Sequence, residues 1–310
     1  MNKSLESKND PQVTVIIVTY QSKDTIKETL DALTEANESG FADVIVIDNA
    51  SNDGTTNFIS ENYPWVTLLI NEKNIGFGRG CNIGLDNTKT PYSLLLNPDA
   101  VIDKKSLTVM YNFMKKNPET GICGPAVIEA SGELQRAGSL SNPWKIMLKP
   151  VLPNWSSKGQ RIVKPGEKPM ETDWICGSVM FLRMSMIKEI NAFDPQIFLY
   201  FEETDLIYRA SKKGWKIWTV GEAVCQHVNA ASAKLTKAPM MEGTISEHYY
   251  RSRFYYLIKH FGYPLAITAE AGELVMMLVR FLINTLRGKS YKKISNRFRS
   301  PFFKLPVFPD

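Results

Sequence analysis

Short apolar runs alternate along the chain with amphipathic stretches, and the two periods predict strands alternating with helices. Val13 to Val18 is a continuous, largely β-branched run, as a strand buried on both faces requires. Ile26, Leu30 and Leu33 then recur at helical spacing in a segment opening near Asp24, whose charge suits a helix amino terminus. The strand VIVID ends at Asp48, Thr55 to Asn62 reads as a short helix, and WVTLLI reads as a third strand. Phe77 to Asp86 reads as a helix entered through the glycine-rich NIGFGRG, and the apolar SLLL (Ser93 to Leu96) forms a strand. A helix opened by Asp103 carries Leu107, Met110 and Met114 on one face. This rhythm predicts the α/β class, with a mainly parallel central sheet covered by helices.

Between Ser131 and Asp173 the periodicity stops, and prolines at 143, 150, 153, 165 and 169 break the segment into loop. Long loops inside compact domains are usually functional, so 131–173 is expected to be an acceptor-side loop region. Order returns at WICGSVMFLR (Trp174 to Arg183), a helix near Ser185 to Ile190, a helix over Glu203 to Lys213 and the strand WKIWTV before CQHV. The expected organisation is a polar leader over 1–11, one catalytic-type domain over 12–235 and a helical, basic appendage over 236–310.

Composition narrows the class. With 310 residues, 44% hydrophobic and 22% charged, the chain is a globular protein with room for one sizeable core. The leader MNKSLESKND precedes no apolar secretory segment. Cys81, Cys123, Cys176 and Cys225 lack paired spacing, which argues against a zinc site or a disulfide framework and favours a reducing cytosol. Net charge is +5, but Arg280 to Lys304 holds eight Lys/Arg and no acid, leaving the rest at −3 (the total less those eight). The basic character therefore belongs to the tail, for which a solvated tail, nucleic-acid binding and an anionic membrane surface are the candidate readings. Leu265 to Leu286 is apolar but interrupted by Glu270, Glu273 and Arg280, whereas a spanning helix wants ~20 mostly apolar residues. An amphipathic helix pair lying on the bilayer is expected, and a homodimer interface is the competing reading.

The chemistry gathers at predicted strand ends and helix starts. Asn97-Pro98-Asp99 follows SLLL and places a carboxylate at the carboxyl edge of a buried strand, where open α/β sheets bind ligands. By itself the triplet is also an ordinary turn. Upstream lie VTVIIVTY and DVIVIDNASNDGT, and downstream FLYFEETDLIYR. Taken in order, these four blocks resemble the inverting glycosyltransferases of family 2, and within them the rhamnosyltransferase-like branch, which carries Asn-Pro-Asp where many relatives have Asp-x-Asp.

The resemblance implies a GT-A nucleotide-sugar-binding fold and a divalent cation, Mg²⁺ or Mn²⁺, neutralising the leaving diphosphate. Asp99 is the candidate ligand, joined by His227, since a histidine after the last core strand often completes the site in this family. Asp48 is expected to face the crevice and accept the imide proton of a uracil or thymine base, favouring a UDP- or dTDP-sugar donor. Thr19 and Tyr20 would line the same base pocket, and Arg79 would reach base or phosphate; close helix packing is the alternative use of the neighbouring glycines. In the family's Glu-Asp-x-Asp motif the second residue is the general base, which corresponds here to Glu203, with Glu in place of Asp. Glu202 and Asp205 flank it as candidates to share that role, Asp205 having the alternative of orienting Arg209. Trp174 and Gly177 match the acceptor-side strand, and Arg251 and Arg253 are candidates to contact the diphosphate.

The expected function is transfer of L-rhamnose from dTDP-L-rhamnose to a lipid-linked bacterial surface or cell-wall glycan, at the cytoplasmic face of the membrane. UDP-hexose or galactofuranose transfer on the same scaffold, and a non-catalytic binding relative, are the alternatives. A Rossmann oxidoreductase is excluded because GFGRGCNIG does not follow the first strand and lacks the acidic partner. A nucleotidyltransferase would want a phosphate loop where TYQSKDT stands.

Overall fold

The computed structural model describes residues 11–227 and 244–288; most of the leader, the expected boundary near 235 and the tail beyond Gly288 lie outside the described residues. The amino-terminal half alternates as the pattern predicts: β1 (Val13–Thr19), α1 (Ile26–Glu38), β2 (Ala42–Asp48), α2 (Thr55–Asn62), β3 (Thr67–Ile70), α3 (Phe77–Asp86) and β4 (Tyr92–Leu96). β1 pairs in parallel with β2 and β4, and β2 with β3, so the first half forms a parallel wing in the order 3-2-1-4. Every residue of β1 and of β4 is buried, which is why both read as unbroken apolar runs.

The second half continues the same sheet with mixed polarity. After β5 (Ala100–Ile102), α4 (Lys104–Lys116) and β6 (Thr120–Glu129), β10 (Val179–Arg183) inserts antiparallel between β4 and β6. β11 (Lys216–His227) then pairs in parallel with β6 and antiparallel with β5, completing a nine-stranded sheet with the small β9 (Met170–Glu171). The sheet is thus mixed rather than simply parallel, because the return strands β5, β9 and β10 run against the others.

α3 lies unusually close to the sheet. A methyl group at Gly84 would sit 2.4 Å from Ile16 Cγ2, and one at Gly80 2.8 Å from Val18 Cγ1. The glycines of GFGRGCNIG are therefore packing residues, which fixes α3 against β1.

The 131–173 segment holds more structure than its prolines suggest. It contains β7 (Arg136–Ala137), α5 (Pro143–Leu148), α6 (Pro153–Ser156), β8 (Arg161–Ile162) and β9, with Pro143 and Pro153 at helix starts, where a missing N–H costs nothing. α5 packs on the carboxyl-terminal helices α9 (Thr244–Phe261) and α10 (Tyr263–Leu286), so the expected appendage is joined to the body. Gly272 of α10 is part of that seam: a Cβ there would meet Met147 Cγ and Sδ at 2.6 Å. The remaining elements, α7 (Met184–Ile190) and α8 (Glu202–Lys212), cover the sheet next to β10 and β11.

Gly84→Ala is expected to destabilise the protein by about 1–3 kcal/mol, because α3 must lift off Ile16 to admit the methyl. Urea unfolding monitored by circular dichroism checks this; an unchanged midpoint would mean that α3 yields freely.

Candidate active site

Strand ends supply one side of the site. β1, β2, β4, β6 and β11 run in the same direction, so Thr19, Asp48, Asn97, Glu129 and His227 all emerge at one sheet edge. In the ladder, His227 is paired with Ala100 of β5 on one side and Glu129 of β6 on the other. That register brings three side chains into line. His227 Nε2 lies 3.0 Å from Asp99 Oδ1, and His227 Nδ1 lies 2.9 Å from Glu129 Oε2. Asp99 is nearly fully buried and the imidazole mostly so.

A carboxylate on each side of the ring favours the imidazolium. The bond to Asp99 contributes most, opposed by burial and reinforced by Glu129, and His227 is pushed up to about 9. Among the described residues no group of three or more His, Cys, Asp or Glu converges into a metal cage. A divalent cation on Asp99 and His227 would have to take the place of the proton on Nε2, since an imidazolium has no lone pair there, with Glu129 holding the second ring nitrogen as an orienting partner. Glu129 was not among the residues singled out from sequence, because only the β6–β11 register places it beside His227.

The opposite wall begins at α8. Tyr200 and Phe201, at φ 65° and 68°, both take the left-handed conformation immediately before the helix, and this sharp turn points α8's amino end at the sheet edge. The next two residues are the carboxylates. Glu202 is buried, 3.6 Å from a Cβ placed at Gly78, and its Oε2 has no hydrogen-bond partner among the described residues. Burial, then the neighbouring Glu203 charge, raises its pKa well above the usual carboxylate range, so the neutral acid is its favoured form. Glu203 keeps partial access to solvent. Its own pKa is also raised, by burial, against hydrogen bonds that favour the ionised form.

The setting of Glu203 is specific. A Cβ on Gly177 would lie 3.3 Å from Glu203 Cβ and 3.4 Å from Cγ, so Gly177 is the surface on which the base candidate rests. The carbonyl of the next residue, Ser178, accepts the Asn97 N–H at 2.9 Å, which joins that surface to the Asn97–Asp99 turn. Trp174 Nε1–H donates to Thr204 Oγ1 at 3.1 Å, and Thr204 Oγ1–H donates to Glu203 Oε1 at 3.0 Å. An indole nitrogen can only donate, so the Thr204 hydroxyl must accept there and its single proton is directed at Glu203. The expected Trp174 and Gly177 thus meet Glu203 directly or through Thr204, a residue that no motif in the sequence singles out.

Other expectations change. Asp205 does not face the crevice: its side chain is fully buried, accepting from Arg209 Nε at 2.8 Å, His260 Nε2 at 2.7 Å and Lys259 Nζ at 2.6 Å. Burial opposes ionisation, but His260, Arg209 and Lys259 together outweigh it and bring Asp205 down to about 2. It binds α8 to α9, and its oxygens are taken up by that tie. Asp48 likewise lies beneath the turn rather than in the crevice, fully buried, accepting from Thr19 Oγ1 at 2.9 Å and from Ser51 N at 2.8 Å. Tyr20, 42% exposed, is the accessible residue at that corner. Arg79 Nε donates to Pro195 O at 2.7 Å, tethering α3 to the loop before α8.

Arg253 turns inward, contrary to the expected diphosphate contact. Its guanidinium is held by Glu270 at 2.7 Å through two nitrogens and by Glu273 at 2.7 Å, and stacks over Tyr250 at 4.9 Å. Arg251 is exposed on α9, one turn beyond His248, whose ring stacks on Phe198 of the α8 approach.

Comparison with known proteins places this geometry. The profile of a family described as Glycosyl transferase family 2 matches residues 14–191. The N-acetylglucosaminyl-diphospho-decaprenol L-rhamnosyltransferase of Mycobacterium tuberculosis is 25% identical over 308 residues, covering 91% of this chain and 98% of that protein. Rhamnosyltransferase WbbL of Escherichia coli K12 is 26% identical, covering 66% of this chain and 79% of its own length. Among solved structures, a mannosyltransferase from Pyrobaculum calidifontis with GDP-Man and Mn²⁺ superposes with TM-score 0.55 at 15% identity, over 93% of this chain and 78% of the other. Staphylococcus aureus TarS 1–349 with UDP does so with TM-score 0.55 at 13% identity, over 91% and 93%. These show the same fold.

Thr204→Val keeps the shape but removes the hydroxyl, and is expected to lower kcat about tenfold and move the acidic limb of its pH profile upward, because the ionised form of Glu203 loses a donor. An unmoved limb would show the hydroxyl to be idle. Asp205→Asn is expected to cost about 2 kcal/mol at pH 7. Because the folded pKa is depressed, that stabilisation is present above about pH 4 and lost as pH falls through about 2, so urea midpoints of variant and parent should converge on acidification.

Proposed function

The chain belongs to glycosyl transferase family 2 and is a glycosyltransferase, and from that premise we propose that it transfers L-rhamnose from dTDP-L-rhamnose to a lipid-linked glycan acceptor with inversion at the anomeric carbon. The observation that carries the mechanism is the placement of Glu203. It rests on Gly177, adjoins the Asn97–Asp99 turn through Ser178, and keeps an opening to solvent while Glu202 is buried and Asp205 is committed elsewhere.

Glu203 takes the proton of the acceptor hydroxyl. The acceptor oxygen forms its bond to the anomeric carbon as the bond from that carbon to the diphosphate breaks, and dTDP leaves with the electron pair. A pKa raised by burial strengthens the Glu203 carboxylate as a base. Burial and the Glu203 charge both raise the pKa of Glu202, so of the two neighbours Glu203, with its opening to solvent, is the better placed to carry the charge. Asp99 and His227 would hold a divalent cation, Mg²⁺ or Mn²⁺, which when bound supplies positive charge for the leaving group. Tyr20 at the β1 corner is the exposed ring available to the nucleobase.

Support for the sugar comes from the two L-rhamnosyl and rhamnosyl relatives, one aligned over nearly its whole length. The M. tuberculosis relative is named for a GlcNAc-diphospho-lipid acceptor, which supports a lipid-linked acceptor for this chain and work at the cytoplasmic face of a membrane.

Purified protein is to be incubated with Mg²⁺ or Mn²⁺ and a panel of dTDP- and UDP-sugars, with nucleotide diphosphate release and thermal protection as readouts. Selective response to dTDP-L-rhamnose is expected; selective response to a UDP-sugar would replace the donor and keep the mechanism. Glu203→Gln should retain donor protection and lose transfer by about 10²–10⁴-fold. Transfer at the parental rate would remove Glu203 as the base. Asp99→Ala should abolish the metal-dependent part of donor protection, and protection unaltered by that change would move the cation elsewhere.

A further inference from the structure

Helix α10 is built inside out. The side facing the body carries Ala266, Ala269, Glu270, Glu273 and Met277, all buried, with both glutamates paired to Arg253. The outward side carries Ala271, Val275, Leu278, Leu282 and Leu286 at helical spacing, and Val275, Leu278, Leu282 and Leu286 are 54%, 52%, 53% and 88% exposed. Val279 and Phe281 widen this stripe, and Leu265 begins it beside Trp144 of α5, itself 54% exposed. A helix bathed in water on its outer side would carry its charges there and its leucines inside. Here the charges are placed where an ion pair can be satisfied by protein, and the apolar residues where only another apolar phase can cover them.

We infer that this face seats the protein on a lipid bilayer bearing anionic headgroups. No helix among the described residues is long and apolar enough to cross a membrane, so α10 would lie along the surface with its outer stripe in the headgroup and acyl boundary. The chain beyond α10 supplies the charge: residues 289–310 contain six Lys/Arg against the single Asp310, interspersed with Tyr291, Phe298, Phe302, Phe303 and Phe308. Basic residues beside an apolar face gain from anionic lipid, each by about 1 kcal/mol near the surface. A second copy of the chain would instead carry the same net positive charge, +5. Exposed Trp144 next to Leu265 suits the interfacial layer, where an amphipathic ring has both an apolar and a wet side.

This inference rests on neither the donor nor the catalytic base, and its test leaves both untouched. The full chain is floated with vesicles of phosphatidylcholine alone and with an equimolar mixture of phosphatidylcholine and phosphatidylglycerol, while light scattering after size exclusion reports its mass. The parent should float with the mixed vesicles, less so at high salt. Leu278→Glu with Leu282→Glu should reduce the bound fraction about tenfold without changing mass, circular dichroism or turnover of a water-soluble acceptor. Lys292→Ser with Lys293→Ser, which leaves the apolar stripe intact, should weaken binding to the mixed vesicles alone. Absence of flotation with either vesicle would overturn the proposal, as would a dimer that the two glutamates convert to monomer, since that would assign the face to a second copy.

Discussion

The placement of Glu203 depends on a backbone turn that is costly to make. Tyr200 and Phe201 both sit at positive φ, a conformation that costs non-glycine residues on the order of 1–3 kcal/mol each. What holds them there is burial: Phe201 is 7% exposed and packs against Tyr249 and Tyr256 of α9 in a cluster that also takes Ile146 of α5 and Ala266 and Ala269 of α10. Burying a phenyl ring is worth roughly 1.5–3 kcal/mol, comparable with the strain at one of these two residues, and the Tyr200 ring adds its own contact with Tyr249. Asp205, one turn further on, repeats the tie with Lys259 and His260. The carboxyl-terminal helices therefore help to place the proposed base, because without them nothing obliges α8 to begin where Glu203 meets Gly177.

At the sheet edge the constraint is register. β11 joins β6 in parallel and β5 antiparallel, and the point at which those pairings end brings Asp99, His227 and Glu129 together. A shift of one residue in β11 would turn His227 to the other face of the sheet. The sheet absorbs an irregularity between Val220 and Val224 before reaching that point, so the alignment is set locally, at the strand's carboxyl end.

Much of this was legible in the sequence where the physics is local. The runs VTVIIVT, VIVID and SLLL could only be buried strands, and Asn97-Pro98-Asp99 and FEETDL stood at a strand end and a helix start. What was not legible depends on contacts between distant residues. TGICGPAVIE, with Gly121, Gly124 and Pro125, carries no clear strand period, yet forms β6 because its neighbours β10 and β11 cover it. Arg253 looked like an anion ligand until Glu270 and Glu273, 17 and 20 residues away, claimed it. Thr204 lay unnoticed between acidic neighbours because its role needs an indole 30 residues distant. Asp48 was placed at the correct edge, but the Thr19 hydroxyl and Ser51 amide that draw it inward come from the turn's own folding.

The central claim is that one carboxylate, Glu203, activates the acceptor while the leaving group departs on the far side, in a single displacement. The most direct test is the anomeric configuration of the first-formed product, read by NMR from a reaction with a donor of defined anomer. Direct displacement with Glu203 as base predicts complete inversion relative to the donor. Retention would require a covalent intermediate or front-side attack, and would contradict the assignment of Glu203 as a base acting on the acceptor alone.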